Sequence, residues 1–299
     1  MKPKYVFIVG LPRTGTKLLE NVLRNCPHIN YESAGETHYV GHLITPGHKN
    51  QIKKIGDMSE DENVHNLVDY FYTGTPNKGF WKHLKRDHSD KINVDRQKFL
   101  QELLASDRTE KGIYEVILRI HTTVTDKTIL GDKTNSNLYH VAALVEWFPQ
   151  AKIIHCLRDP RAILASQLNK SKMPEFLPIS PDHPLYKFEM VLYTTITWLY
   201  AIRLHRQYKK CYPQNYHLIR FEDLVSEPGK SVRELCDFLD IEFDPKMLEP
   251  KQTGSSFARE RIVGFDKQAL SRWQNHLKPW MKIWMWALGK KYLREFGSY

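Results

Sequence analysis

Apolar residues along this chain fall into two alternating patterns. Tyr5-Val6-Phe7-Ile8-Val9 is an unbroken apolar run, the mark of a strand buried on both faces. Leu11-Pro12-Arg13-Thr14-Gly15-Thr16-Lys17 follows Gly10 as a short loop, and from Lys17 the spacing of Leu18, Leu19, Val22 and Leu23 is helical. The same alternation returns downstream. Thr128 to Leu130 reads as a strand running into Gly131-Asp132-Lys133-Thr134-Asn135, and Ala151 to Leu157 and Tyr216 to Phe221 read as further strands. Helical spacing marks 64–72, 99–104, 138–148, 162–168, 185–212, 232–239 and an aromatic terminal stretch, 278–296. Ile113 to Ile120 is rich in β-branched residues and its state stays open, and 45–65 is weakly patterned, a surface excursion or lid. Strands alternating with helices predict an α/β fold with a central parallel sheet flanked by helices. No Pro/Gly/Ser-rich linker divides residues 1–299, so a single domain is expected.

Composition adds little to the fold and something to the ligand. Hydrophobic residues make up 41% and charged residues 26% of 299, ordinary for a globular chain with a substantial core. The formal net charge of +10 suits an anionic ligand or surface. No block of five like charges exists, which argues against a nucleic-acid tail. Cys26, Cys156, Cys211 and Cys236 are too scattered for a zinc pattern or a disulfide framework, so no metal is expected and a reducing compartment is. The first apolar run is too short for a signal peptide, and no stretch of 18 apolar residues exists. A cytoplasmic protein without a transmembrane segment is expected. The terminal helix, with Trp280, Trp284 and Trp286, is expected to dock on the core rather than lie on a membrane.

The first strand, loop and helix carry candidate chemistry. The opening N–H groups of a helix lack intrahelical partners and sit at the positive end of its dipole, which makes that end an anion site. Gly10 and Gly15 let the backbone wrap an anion, Arg13 and Lys17 add charge, and Thr14 and Thr16 add hydroxyls. The loop departs from a Walker A sequence, because Thr16 rather than Lys follows Gly15 and Leu18 follows Lys17, so the hydroxyl that helps hold Mg²⁺ is misplaced. A second constellation follows the 151–157 strand: Arg158-Asp159-Pro160-Arg161, with Ser166 eight positions after Arg158. Arginine grips phosphate bidentately and serine donates from the following helix.

Together these stretches resemble the sulfotransferases that use 3′-phosphoadenosine 5′-phosphosulfate (PAPS). Pro12-Arg13-Thr14-Gly15-Thr16 matches the family's phosphosulfate loop, P-[KR]-[ST]-G-T, at every position. Arg158 and Ser166 keep the family's spacing for the cofactor's 3′-phosphate. Phe221-Glu222-Asp223-Leu224 is similar to a family Y-E-D-L segment, and Ala269-Leu270-Ser271-Arg272-Trp273 also looks like the family. The resemblance implies a P-loop-NTPase-like single domain, no required metal, PAPS as sulfuryl donor and its product PAP. It implies a cofactor set of Arg13, Thr14, Gly15, Thr16, Lys17, Arg158, Ser166, Lys170, Phe221 and Arg261. The 40–127 segment has no match and is expected to be the variable, substrate-side part.

For transfer, the resemblance points to Arg13 and to Lys133 of Asp-Lys-Thr as the cations reaching the sulfuryl group. Cytosolic members place a basic histidine where Asn135 stands, so the base must come from elsewhere. Gly35-Glu36-Thr37 resembles, one Glu shorter, a Gly-Glu-Glu-Thr stretch of the tyrosylprotein sulfotransferases that holds a Glu. Glu36 is therefore the first candidate, His38 the second and Glu32 the third. The acceptor is expected to bear a hydroxyl; its identity and the oligomeric state cannot be read. Two other readings stay open: a nucleotide-dependent kinase, and a non-catalytic module binding PAP or another nucleotide.

Overall fold

The computed structural model describes residues 4–41, 50–73, 94–120, 122, 124–169, 183–252 and 262–296. The strands are β1 (Lys4–Gly10), β2 (Asn30–Ser33), β3 (Thr128–Asp132), β4 (Lys152–Leu157) and β5 (Tyr216–Arg220). They form a central parallel sheet in the order β2-β3-β1-β4-β5, the α/β class the alternating pattern predicts. The helices are α1 (Thr16–Arg24), α2 (Gln51–Ile55), α3 (Asp61–Thr73), α4 (Arg96–Leu104), α5 (Glu110–Arg119), α6 (Val141–Trp147), α7 (Pro160–Leu168), α8 (Tyr186–Cys211), α9 (Phe221–Ser226), α10 (Pro228–Leu239), α11 (Trp273–His276) and α12 (Pro279–Phe296). The chain packs as two compact units, 1–9 with 29–153, and 10–28 with 154–299.

In the first unit β3 pairs in parallel with β1 and β2; Tyr31 sits opposite Ile129 and Val6 opposite Gly131. Gly131 is required there, because a Cβ would lie 2.4 Å from the Val6 carbonyl oxygen and 2.6 Å from the Tyr31 hydroxyl. Rings fill the space behind β1: Phe7 packs on Tyr114 at 6.0 Å and on Phe148 at 5.7 Å, and Tyr39 stacks on Tyr114 at 4.8 Å. The undecided Ile113–Ile120 stretch is helical, within α5 up to Arg119 with Ile120 as its C-cap. Thr109 caps it by accepting from the Gly112 N–H, and Ile113, Val116, Ile117 and Ile120 are buried at helical spacing.

In the second unit the apolar faces of α7, α8, α11 and α12 meet around Ala165, Met190, Trp273, Met281 and Met285. The strand predicted over Tyr216 to Phe221 is one residue shorter: β5 ends at Arg220 and Phe221 opens α9. Likewise 138–148 is a 3₁₀ turn, Asn135–His140, leading into α6 rather than one helix. The terminal aromatic stretch is a helix from Pro279 to Phe296, as its spacing predicts.

Candidate functional site: an anion cradle and a lysine–glutamate pair

The cradle belongs to the second unit. Gly10 has φ +152° and a Cβ there would meet the Cys156 carbonyl oxygen at 2.5 Å, so only glycine lets the chain leave β1 this way. Arg13 takes a left-handed φ of 76°, uncommon outside glycine. Thr14 is buried and its hydroxyl donates to the Leu11 carbonyl at 2.7 Å, closing the loop on itself. Gly15, at φ 97°, caps α1 in the left-handed conformation, and a Cβ there would lie 2.5 Å from the Phe221 ring. Thr16 is buried at the first helical position, while Lys17 is partly exposed and pairs with Glu20 at 2.8 Å.

The two arginine loops, far apart in sequence, converge. Arg13 Nε donates to Ser166 Oγ at 2.8 Å, and Arg158 Nη1 donates to the Arg13 carbonyl at 3.0 Å. Arg158 Nη2 donates to the Ala269 carbonyl at 3.1 Å, and its guanidinium lies 4.0 Å from the centre of the Phe221 ring. The indole N–H of Trp198 donates to the Arg158 carbonyl at 2.9 Å. Arg158 Nε is buried with no hydrogen-bond partner among the described residues. Burial lowers the Arg158 pKa to about 10, against the opposing pull of Glu222, so the group keeps its charge at neutral pH. Burial also lowers that of Arg13. Asp159 caps α7 by accepting from the Arg161 N–H at 2.8 Å, with Pro160 at the first helical position. Its own N–H donates to Glu222 at 2.9 Å, and burial pushes the Glu222 carboxyl up to about 7.

The second cluster belongs to the first unit and is built where β2 and β3 end. The Lys133 N–H donates to the Gly35 carbonyl at 2.9 Å, which carries the parallel pairing past the strands. Buried Lys133 then reaches Glu36, Nζ to Oε1 at 2.6 Å. Glu36 Oε2 stands 3.7 Å from His38 Nε2. Burial raises the Glu36 pKa, but hydrogen bonding to His38 and the Lys133 charge outweigh it and hold the acid down at about 2. Beneath this pair, fully buried Asp132 accepts from Thr37, from Tyr114 at 2.7 Å and from Thr134 at 2.5 Å. Those bonds fix the loop that presents Glu36 and His38, and His38 holds a left-handed φ of 51° with its N–H on Thr134. Burial raises the Asp132 pKa against these three hydroxyl donors.

Of the residues singled out from sequence, the structure joins Arg13, Arg158, Ser166, Gly15 and Phe221 in one cluster, and Glu36, His38 and Lys133 in another. Arg13 and Ser166, expected at opposite ends of an elongated ligand, are in contact. Glu32 lies on β2. Lys170 and Arg261 lie outside the described residues. Sequence reasoning missed Trp198, Glu222, Asp132 and Tyr114. Glu222 and Asp132 stood inside quoted motifs, but their burial could not be read. Among the described residues no group of His, Cys, Asp or Glu is placed to hold a metal ion, and no helix is long and apolar enough to cross a membrane.

A model of the Sulfotransferase family matches residues 3–245. An uncharacterized protein of Aquifex aeolicus is 21% identical over 290 residues, covering 93% of this chain and 32% of its own. The omega-hydroxy-beta-dihydromenaquinone-9 sulfotransferase Stf3 of Mycobacterium tuberculosis is 26% identical over 259 residues, covering 79% of this chain and 62% of its own. The chain thus spans less than two thirds of the length of either relative. Among solved structures, the sulfotransferase domain of the Synechococcus PCC 7002 olefin synthase superposes with a TM-score of 0.58 at 20% identity, covering 97% of this chain and 95% of that one. The sulfotransferase domain from the curacin biosynthetic pathway gives 0.55 at 16% identity, covering 97% and 98%. At such identities the superpositions speak to the fold alone. The family match runs from β1 through both arginine loops to beyond α10, and on that ground the chain belongs to the sulfotransferase family.

Proposed function

We propose that this protein transfers the sulfuryl group of PAPS to an acceptor hydroxyl and releases PAP. The observation that carries the reading is the partly buried Arg158 guanidinium with its buried Nε. It is anchored by two backbone carbonyls and the Phe221 ring, its Nε has no acceptor among the described residues, and Ser166 and Arg13 stand beside one another in the same cluster. A buried N–H of a cation without a partner costs about 1–3 kcal/mol, and a phosphate oxygen is the acceptor that suits it. Arg158 and Ser166 would hold the 3′-phosphate, with Lys170 and Arg261 assigned to that end by resemblance. The Thr14-Gly15-Thr16-Lys17 backbone at the start of α1, with Arg13, would hold the phosphosulfate. PAPS supplies an activated sulfuryl group on a good leaving group.

Lys133 is assigned to the charge that develops on the sulfuryl oxygens, and Glu36 to the acceptor proton. Their ion pair links the two roles. While Lys133 bonds Glu36 the carboxylate is a weak base. Once Lys133 turns to developing negative charge, the burial that raises the Glu36 pKa is less opposed and its basicity grows. His38, 3.7 Å from Glu36, is the second candidate for the proton. The mycobacterial relative is named for a hydroxylated dihydromenaquinone, which makes a hydroxylated isoprenoid quinone the first acceptor to try. All four cysteines are free, which supports the cytoplasmic placement.

The test is PAP release from PAPS with a hydroxylated quinone and a simple phenol as acceptors. Glu36→Gln and Lys133→Ala should each lower turnover by about 10²–10⁴-fold, the range of a positioned proton or charge, with PAP affinity little changed. A Glu36→Gln enzyme turning over near the wild-type rate removes Glu36 from the role and passes it to His38, tested as His38→Asn.

A further inference from the structure

Helix α12 does two different things on its two sides. Met281, Met285, Gly289, Leu293 and Phe296 are buried and fix it to the second unit. The outward side is apolar where a docked helix is normally polar. Ile283 is 65% exposed, Trp286 50%, Trp284 45% and Leu288 44%. Two stripes run along this side at helical spacing, Ile283-Ala287-Lys290-Arg294 and Trp284-Leu288-Lys291. Each begins apolar and turns basic after two turns, roughly 10 Å along the axis. The stretch 278–296 holds five basic residues and one acidic residue, Glu295, which is paired with Arg206 at 2.6 Å. Lys290 lies 5.7 Å from the Trp286 ring centre, so the cation and the indole face the same surroundings.

We infer that α12 is a peripheral docking surface for an anionic lipid bilayer. Trp, Ile and Leu beside lysines make the combination that settles at a bilayer interface, with indoles among the headgroups and lysines reaching phosphates. The order of the stripes sets the pose: the Ile283–Leu288 half enters the interface and Lys290, Lys291 and Arg294 meet the headgroups. Charge complementarity favours lipid over a protein partner, because protein interfaces are depleted of lysine at their centre and each lysine near an anionic surface adds attraction. The surface lies apart from Arg158, Ser166, Glu36 and Lys133 in sequence and does not depend on the sulfuryl reading.

The experiment is flotation of the full chain with vesicles of phosphatidylcholine alone and of phosphatidylcholine with a third phosphatidylglycerol. Binding is expected only to the anionic vesicles and should fall with salt. Lys290→Gln and Lys291→Gln should each weaken it about fivefold. Trp284→Ser with Trp286→Ser should abolish it, while PAP-induced thermal stabilisation stays at the wild-type level. Failure of the wild-type chain to float at low salt overturns the inference, as does binding that survives both tryptophan substitutions. A self-associated wild-type chain that the tryptophan substitutions return to monomer, without vesicle binding, would assign the face to a second copy instead.

Discussion

At the scale of single residues, the Lys133–Glu36 pair is the feature with the clearest electrostatic consequence. The lysine is buried and the carboxylate stays partly exposed, so their 2.6 Å contact is neither fully screened nor fully desolvated. The Glu36 pKa lies at about 2, below its ordinary 4.5. A carboxyl depressed on folding stabilises the native state at pH values above its unfolded pKa, and that stability is lost as pH falls through the folded one. The wild-type protein should therefore lose stability between pH 4.5 and 2 through this group. After discounting for exposure the loss is on the order of 1 kcal/mol. Urea midpoints of wild type and Glu36→Gln measured from pH 5 to 2.5 check it: the difference between the two should shrink as pH drops. A constant difference would show that the pair adds nothing to the folded state.

At the scale of elements, glycine geometry and a single ring hold the cradle together. Gly15 is left-handed and close to the Phe221 ring, whose centre in turn lies 4.0 Å from the Arg158 guanidinium. Gly15→Ala should cost about 1–3 kcal/mol from the backbone alone and should also displace Phe221, so PAP affinity falls with thermal stability. Gly229, in the first turn of α10, has open space around it and no positive φ. Gly229→Ala should be neutral or stabilise by about 0.5–1 kcal/mol and leave PAP binding alone; melting curves with and without PAP separate the two. These elements show what a sequence discloses. Tyr5 to Val9 reads as a strand because nothing polar interrupts it, and Ala151 to Leu157 because Ile153, Ile154, Cys156 and Leu157 outweigh Lys152 and His155. Ile113–Ile120 stayed undecided because isoleucine and valine suit a strand and a buried helix face alike, and the Thr109 cap settles it. The glycines, arginines and Ser166 were legible by spacing. The Arg13–Ser166 bond was not, since it joins residues 153 positions apart. Nor was the convergence of three hydroxyls on Asp132, because a carboxylate between Gly131 and Lys133 looks the same whether it is buried or solvated.

At the scale of the whole molecule, a +10 chain places Arg158 just past the end of β4, and returns Ala269 from near the C-terminus to accept from it. The following segment does likewise: Trp273 lies 4.0 Å from the Arg161 guanidinium. Arg161 already holds the Asp159 carboxylate at 2.5 Å, so of the two it is Arg158 alone that the account assigns to an outside anion. The ligand that distinguishes this account is PAP, because the role proposed for Arg158 and Ser166 is to hold a 3′-phosphate, which adenosine 5′-phosphate and ADP lack. The most direct test is calorimetric titration of the wild-type and Arg158→Ala proteins with PAP, adenosine 5′-phosphate, and ADP with Mg²⁺, alongside melting curves to confirm that both are folded. The account predicts that PAP binds the wild type most tightly. It predicts that Arg158→Ala loses about 1.5–3 kcal/mol for PAP, the worth of a hydrogen bond to a charged group, and that adenosine 5′-phosphate is nearly unaffected. Equal affinity for PAP and adenosine 5′-phosphate in the wild type, or a preference for ADP with Mg²⁺, would contradict it.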